Sequence, residues 1–183
     1  MLTTQLSSTS GNTSDDTERA FFYVDGIPTK GLWLDLDSID SWADVHEALT
    51  RAGVTTADYG GDVLVADVEG PLARACYSSR FDMLDLGAYL TLREDVAKLN
   101  APAGAAVAFI NWYGLWDAEA FESAYMGRYG SEEAYAEQLI DDTSMLTEMP
   151  EHLRCYFDVE RFARDLFLGD YYFDDGYVFC CNC

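Results

Sequence analysis

Two histidines, five cysteines and thirty-three carboxylates are the groups in this 183-residue chain that invite a chemical reading. His46 and His152 both fall in segments that read as helix, and spacing ties no Ser or Cys nucleophile to either, so a base-activated nucleophile has no signature here. No glycine-rich phosphate loop occurs. Asp35 and Asp37, two apart on one strand face, resemble a glycosidase carboxylate pair. With thirty-three acids, chance pairs of that kind are expected. The Asp-rich segments do not follow the ligand spacing of an EF-hand. Cys180-Cys181-Asn182-Cys183 offers three thiolates but no second pair at finger-like spacing, and Cys155 or His152 would have to complete the set. The expectation is a frayed, reducible tail, no metal, no cofactor and no catalytic residue. An odd cysteine count with three at the extreme C-terminus is not a secreted disulfide framework, so a reducing cytoplasm is the expected location.

Charge is the chain's outstanding chemical property. Eleven bases oppose the thirty-three acids, giving a formal net charge of −22. Such self-repulsion opposes compaction, which points to a use for it. A nucleic-acid binder needs a basic stripe, and an anionic membrane would repel this chain, so neither nucleic acid nor membrane is an expected partner. The most apolar stretch, Ala101 to Trp116, is too short for a transmembrane helix and contains Pro102, Gly104, Asn111 and Gly114. The start lacks the basic and apolar regions of a signal peptide. Its first seventeen residues hold four Ser and five Thr and read as a disordered tail, 1–18.

The acid is segregated. Residues 35–95 carry thirteen acids against four bases, and residues 117–175 carry sixteen against four. Residues 96–116 carry no acid and one base, Lys98. Duplex DNA carries about one charge per 1.7 Å, so twenty-two charges match a rod of roughly 37 Å. A compact chain of this length has a radius of gyration of roughly 16 Å. The protein thus carries about the charge of an equal length of duplex, and its carboxylates could occupy a DNA-binding groove.

Elements must display these groups. Arg19 to Val24 and Gly31 to Leu36 read as strands, the second with Leu32, Leu34 and Leu36 on one face. Ser41 with Asp44 resembles a capping box that starts a helix to about Arg51, closed by Gly53. After Gly60-Gly61, Val63 to Val68 reads as a third strand, completing a small α/β unit. The segment 80–116 reads as helical, with Phe81, Leu84, Gly87 and Ala88 on one face and Leu92, Val96 and Leu99 on another. Asp117, Ser131 and Asp158 are helix caps, and Pro150 suits a first helical position. Ala124 to Tyr129 fits either a helix or a strand, and periodicity does not decide. Asp170 to Phe173 and Tyr177 to Phe179 flank Asp-Asp-Gly, a hairpin signal.

Particular runs then narrow the field. Ser131-Glu-Glu-Ala-Tyr-Ala-Glu, Glu148-Met-Pro-Glu-His-Leu, Tyr156-Phe-Asp-Val-Glu-Arg-Phe-Ala-Arg-Asp-Leu and Asp175-Gly-Tyr-Val-Phe resemble the C-terminal half of the ArdA antirestriction proteins. Ala124-Tyr-Met-Gly-Arg-Tyr-Gly-Ser is similar as well. Gly31-Leu-Trp-Leu-Asp-Leu resembles the family's second strand, and Val65-Ala-Asp-Val-Glu-Gly a strand ending in Asp-Tyr-Glu, with Val68 in the Tyr position. The likeness covers about residues 19–180, is strongest over 121–179 and is weak over 70–116.

The resemblance implies an α+β, elongated, acidic chain of three small domains: α/β over 19–78, helical over 79–116, and α+β with a three-stranded sheet over 117–183. It implies that Ala124 to Tyr129 is a strand. It also implies a non-enzymatic homodimer, carried by mobile elements and phages, that imitates bent DNA in the groove of type I restriction-modification enzymes. On this view the partner-binding carboxylates are Asp35, Asp37, Asp40, Asp44, Glu47, Asp67, Glu69, Asp82, Asp85, Glu94 and Asp95 in the first block. Glu119, Glu122, Glu132, Glu133, Glu137, Asp141, Asp142, Glu148 and Glu151 follow in the second. The stretch 96–116, the only long one without acid, is either the core that joins the two acidic blocks or the place where two such chains meet, in which case Phe109, Trp112, Tyr113 and Trp116 are the contact. The competing expectations are an acidic module for some other basic or DNA-binding protein, and a carboxylate-dependent hydrolase.

Overall fold

A computed structural model describes residues 17–25, 30–54 and 62–182. The Ser/Thr-rich start, Gly60-Gly61 and Cys183 lie outside them. The protein is mixed α+β with small antiparallel sheets, and it divides into two compact units at Gly87.

In the first unit, β1 (Arg19–Val24) lies between β2 (Gly31–Asp35) and β3 (Val63–Glu69) and is antiparallel to both. The unit expected as α/β is therefore α+β in pairing: β2 and β3 run the same way without touching. Ala20, Phe22 and Val24 are fully buried beneath α1 (Trp42–Arg51), which contributes Val45 and Leu49. Phe22, Val24, Val45 and Leu49 each gain about 1.5–3 kcal/mol from burial. Phe21 points to the other face, edge-on to Trp33 at 5.7 Å. Its ring lies over Gly31, where a Cβ would sit 2.3 Å from Phe21 Cε1. Strand β2 stops one residue earlier than expected, because Leu36 turns into a short 3-10 helix, Leu36–Ser38.

The helical face drawn through Phe81, Leu84, Gly87 and Ala88 does not form. After α2 (Pro71–Ala75), the strands β4 (Tyr77–Ser78) and β5 (Met83–Leu84) make a small hairpin, and Phe81 is exposed at its turn. Long-range backbone bonds override the helical spacing. Val65 N–H donates to Asp82 O at 2.8 Å and Asp85 N–H to Cys76 O at 3.0 Å. The helix α3 (Leu86–Leu99) begins only after them, and Leu92 and Val96 are buried along it as their spacing requires.

In the second unit, α4 (Ala103–Tyr113) and α5 (Ala118–Ala124) pack on a sheet of order β6-β8-β7. Its strands are β6 (Tyr125–Arg128), β7 (Tyr171–Asp174) and β8 (Tyr177–Cys180). The segment 124–129 is thus the end of a helix followed by a strand, and the strand completes the sheet. Asp175 and Gly176 both have positive φ, +46° and +85°, the pattern of a two-residue type I′ turn. Ala105, Ala108, Phe109, Phe121, Tyr177 and Phe179 form one core. Gly104 brings α4 close to β8, since a Cβ there would lie 2.8 Å from the Tyr177 hydroxyl. The remaining helices are α6 (Glu132–Asp142), α7 (Glu151–Arg154) and α8 (Val159–Leu166). Pro150 caps α7 instead of occupying its first turn.

Candidate functional site

The carboxylates divide by what holds them. Fifteen of the twenty expected at the partner surface are exposed, while Asp44, Glu69, Asp82, Asp95 and Glu132 are half-buried. Several have local duties. Asp35 accepts a bond from Asp37 N–H at 3.0 Å and Asp67 one from Val68 N–H at 2.8 Å. Asp117 and Asp158 cap α5 and α8, and Ser131 caps α6, through bonds from Ala120, Arg161 and Ala134 N–H. Glu133, in the first turn of α6, is held below the usual carboxylate range by backbone N–H and Ser131 bonds.

Ser41 and Asp44 do not close a capping box in the expected sense. Ser41 makes no side-chain cap. Asp44 instead accepts from Asp40 N–H at 3.0 Å and Ser41 Oγ at 2.9 Å, which lowers its carboxyl below the ordinary range.

A few carboxylates are neutralised by cations. Glu47 pairs with Arg51 at 2.6 Å, Glu94 with Lys98 at 2.8 Å, and Glu69 with Arg19. Lys98 lowers the Glu94 carboxyl, by hydrogen bond first and by charge second. Asp95 accepts the Trp116 indole N–H at 3.1 Å, and Asp142 accepts from Gln138 at 2.8 Å. Asp82 accepts the Tyr23 hydroxyl at 3.4 Å, and burial with that charge raises the Tyr23 phenol. By contrast, Glu119, Glu122, Glu137, Asp141, Glu148 and Glu151 are exposed and make no ion pair or side-chain hydrogen bond to other described residues.

The paired-carboxylate site is not built. Asp35 ends β2 and Asp37 lies in the 3-10 helix, so the two do not share a strand face. His46 on α1 and His152 on α7 are both exposed. No cluster of three or more His, Cys, Asp or Glu among the described residues is arranged for a metal. The cysteine tail also needs correction: Cys180 is buried as the last residue of β8, and Cys181 N–H donates to Asp170 O at 2.8 Å. Strand pairing runs through what read as a frayed end.

Phe109 is completely buried, within 6.0 Å of five other aromatic rings, so it is unavailable to a second chain. Trp112 and Trp116 are half-buried against the same core. Of the four expected contact residues, Tyr113 is the most exposed, at 49%.

One acid has a role that the sequence concealed. Glu18, assigned above to the tail, is 6% exposed. Its two oxygens accept Leu72 N–H at 3.0 Å and Ala73 N–H at 2.8 Å, capping α2 from fifty-four residues away. The available signal was the Gly70-Pro71 start of α2, which brings no capping side chain of its own and so needs an acceptor from elsewhere.

No described helix is long and apolar enough to cross a membrane. Residues 23–179 match the family model described as antirestriction protein (ArdA). No curated protein matches the chain.

Proposed function

The chain belongs to the ArdA antirestriction family, and from that premise we propose that it inhibits a type I restriction-modification enzyme by occupying its DNA-binding groove in place of DNA. The observation that carries this reading is the exposed set Glu119, Glu122, Glu137, Asp141, Glu148 and Glu151, which make no ion pair among the described residues, on a chain of net charge −22. At the charge density of duplex, that total corresponds to roughly 37 Å, or about 11 base pairs. A restriction complex covers more DNA than this, so the active form is a homodimer spanning roughly 75 Å at the same density. Each copy then presents two acidic blocks, 35–95 and 117–175, to Lys and Arg side chains that otherwise hold phosphates. Nothing is cleaved or transferred, and no cofactor takes part. The site of action is the cytoplasm, where restriction enzymes meet incoming DNA.

Groove occupation by many carboxylates predicts steep salt dependence, because each pair is partly screened. The test is the affinity for the enzyme's DNA-binding core across a salt series. The log of the affinity should fall steeply and linearly with log salt concentration. A shallow slope would point instead to a compact apolar interface, and loss of all inhibition on one conservative Asp→Asn change in a folded protein would point to a hydrolase.

A further inference from the structure

We infer that the cleft bounded by α4, α5 and the end of β8 is a receptor for one arginine side chain of the inhibited enzyme. The donor's identity rests on the function proposed above, but the cleft's chemistry does not. The cleft encloses about 340 Å³, the size of a small-ligand site. Trp112, Tyr113, Asp117 and Glu119 are among its lining residues, and none of the lining residues is basic.

The aromatic wall is held in place before anything binds. Trp112 stacks near-parallel with Tyr172 at 5.6 Å and with Phe179 at 5.8 Å. Tyr113 stacks on buried Phe109 at 5.0 Å and stays half-exposed. A wall fixed in this way loses little side-chain freedom on binding. The two acids retain acceptor capacity. Asp117 Oδ1 accepts Ala120 N–H at 2.9 Å, and Glu119 makes no ion pair among the described residues.

Charge and shape then select the occupant. An anion is repelled, and a neutral apolar group would strip water from two carboxylates that have no cation partner among the described residues. A cation satisfies both the carboxylates and the ring faces. Guanidinium suits the site better than ammonium, because it is planar, stacks on aromatics and bonds carboxylates with two parallel N–H groups. A second cavity of about 370 Å³, lined by Thr17, Glu69, Gly70, Pro71 and Arg74, shows the contrast: it already carries a cation and has no aromatic wall.

The probe is N-acetyl-argininamide, with N-acetyl-citrullinamide as its neutral isostere, titrated into the full chain while amide and indole resonances are followed. Argininamide should shift the Trp112 and Tyr113 signals saturably, citrullinamide should not, and E119Q should weaken binding roughly fivefold, the scale of one exposed charge contact. Equal shifts from both probes, or none from either, would overturn the proposal. The latter result in a dimer that shields Trp112 would assign the cleft to an interface between copies. In the restriction assay, D117N/E119Q, which keeps a capping oxygen, should inhibit roughly tenfold less well, as expected for an interface hot spot. E137Q/D141N, an equal charge loss away from the cleft, should cost no more than about threefold. Equal losses would overturn the hot spot. If the wild-type chain inhibits no restriction enzyme, the function fails while the argininamide titration still decides the cleft.

Discussion

Replacing Glu18 tests how far the N-terminal unit depends on a single buried carboxylate. In Glu18→Ala, the Leu72 and Ala73 amides lose their acceptor where neither residue is exposed by more than 5%. An unpaired buried N–H costs about 1–3 kcal/mol, so the two together cost about 2–6. The variant no longer has to bury a carboxylate, which offsets part of that. The net expectation is about 3 kcal/mol. Glu18→Gln keeps one acceptor oxygen and should cost about half as much. Gly70 supplies an independent check. A Cβ there would sit 2.3 Å from Glu18 Oε2, and the residue's φ is +100°. Gly70→Ala must therefore displace the same carboxylate in addition to straining the backbone. Urea unfolding of the two single variants and the double variant gives the coupling directly. The double variant should lose clearly less than the sum of the singles. Additive losses, or a Glu18→Gln variant within about 0.5 kcal/mol of wild type, would refute the argument.

Three further expectations follow from the same contacts. Folding lowers the Glu133 carboxyl, so the stability it lends is present above the ordinary glutamate range and is lost as pH falls through the depressed value. Glu133→Gln should then be less stable than wild type at neutral pH, with the gap in urea midpoint closing as pH falls below the ordinary glutamate range; a gap independent of pH would contradict this. Burial, with Asp85 and Glu18 nearby, pushes the Cys76 thiol up to about 11, whereas Cys155 is exposed. At neutral pH, thiol reagents should label Cys155 much faster than half-buried Cys76, and equal labelling rates would refute the raised Cys76 thiol. Outside the α4–α5 cleft, neutralising one carboxylate such as Glu122 or Glu148 should weaken inhibition by no more than about twofold, while neutralising six or more in one block should weaken it progressively. Enzyme inhibition curves separate these outcomes.

How much was legible follows from the range of the interactions. Asp117, Ser131 and Asp158 cap helices through bonds to amides three residues on, so their spacing announces them. The type I′ turn at Asp175-Gly176 is equally local. The part of the hairpin from residue 80 to 84 reads as helix because a decisive bond, Val65 N–H to Asp82 O, comes from well outside the segment. The strand 125–128 stays open from periodicity because only three residues pair, with a bulge between Tyr125 and Gly127, and the pairing partner lies about fifty residues later. The family resemblance supplied it. Glu18 was hidden for the same reason, since its partners are fifty-four and fifty-five residues away. The acidic site was legible as composition, not as geometry. Sequence does not say that Glu47 and Glu94 are neutralised by neighbours while Glu122 and Glu137 make no ion pair among the described residues.

The central claim is that this protein and DNA compete for one groove, and direct displacement measures it. A labelled duplex bearing the target sequence is bound to a purified type I restriction-modification enzyme, and the protein is titrated in at several duplex concentrations. The account predicts complete displacement, with the midpoint rising in proportion to duplex concentration and no complex that holds both. A ternary complex, or inhibition of cleavage with the duplex still bound, would contradict it.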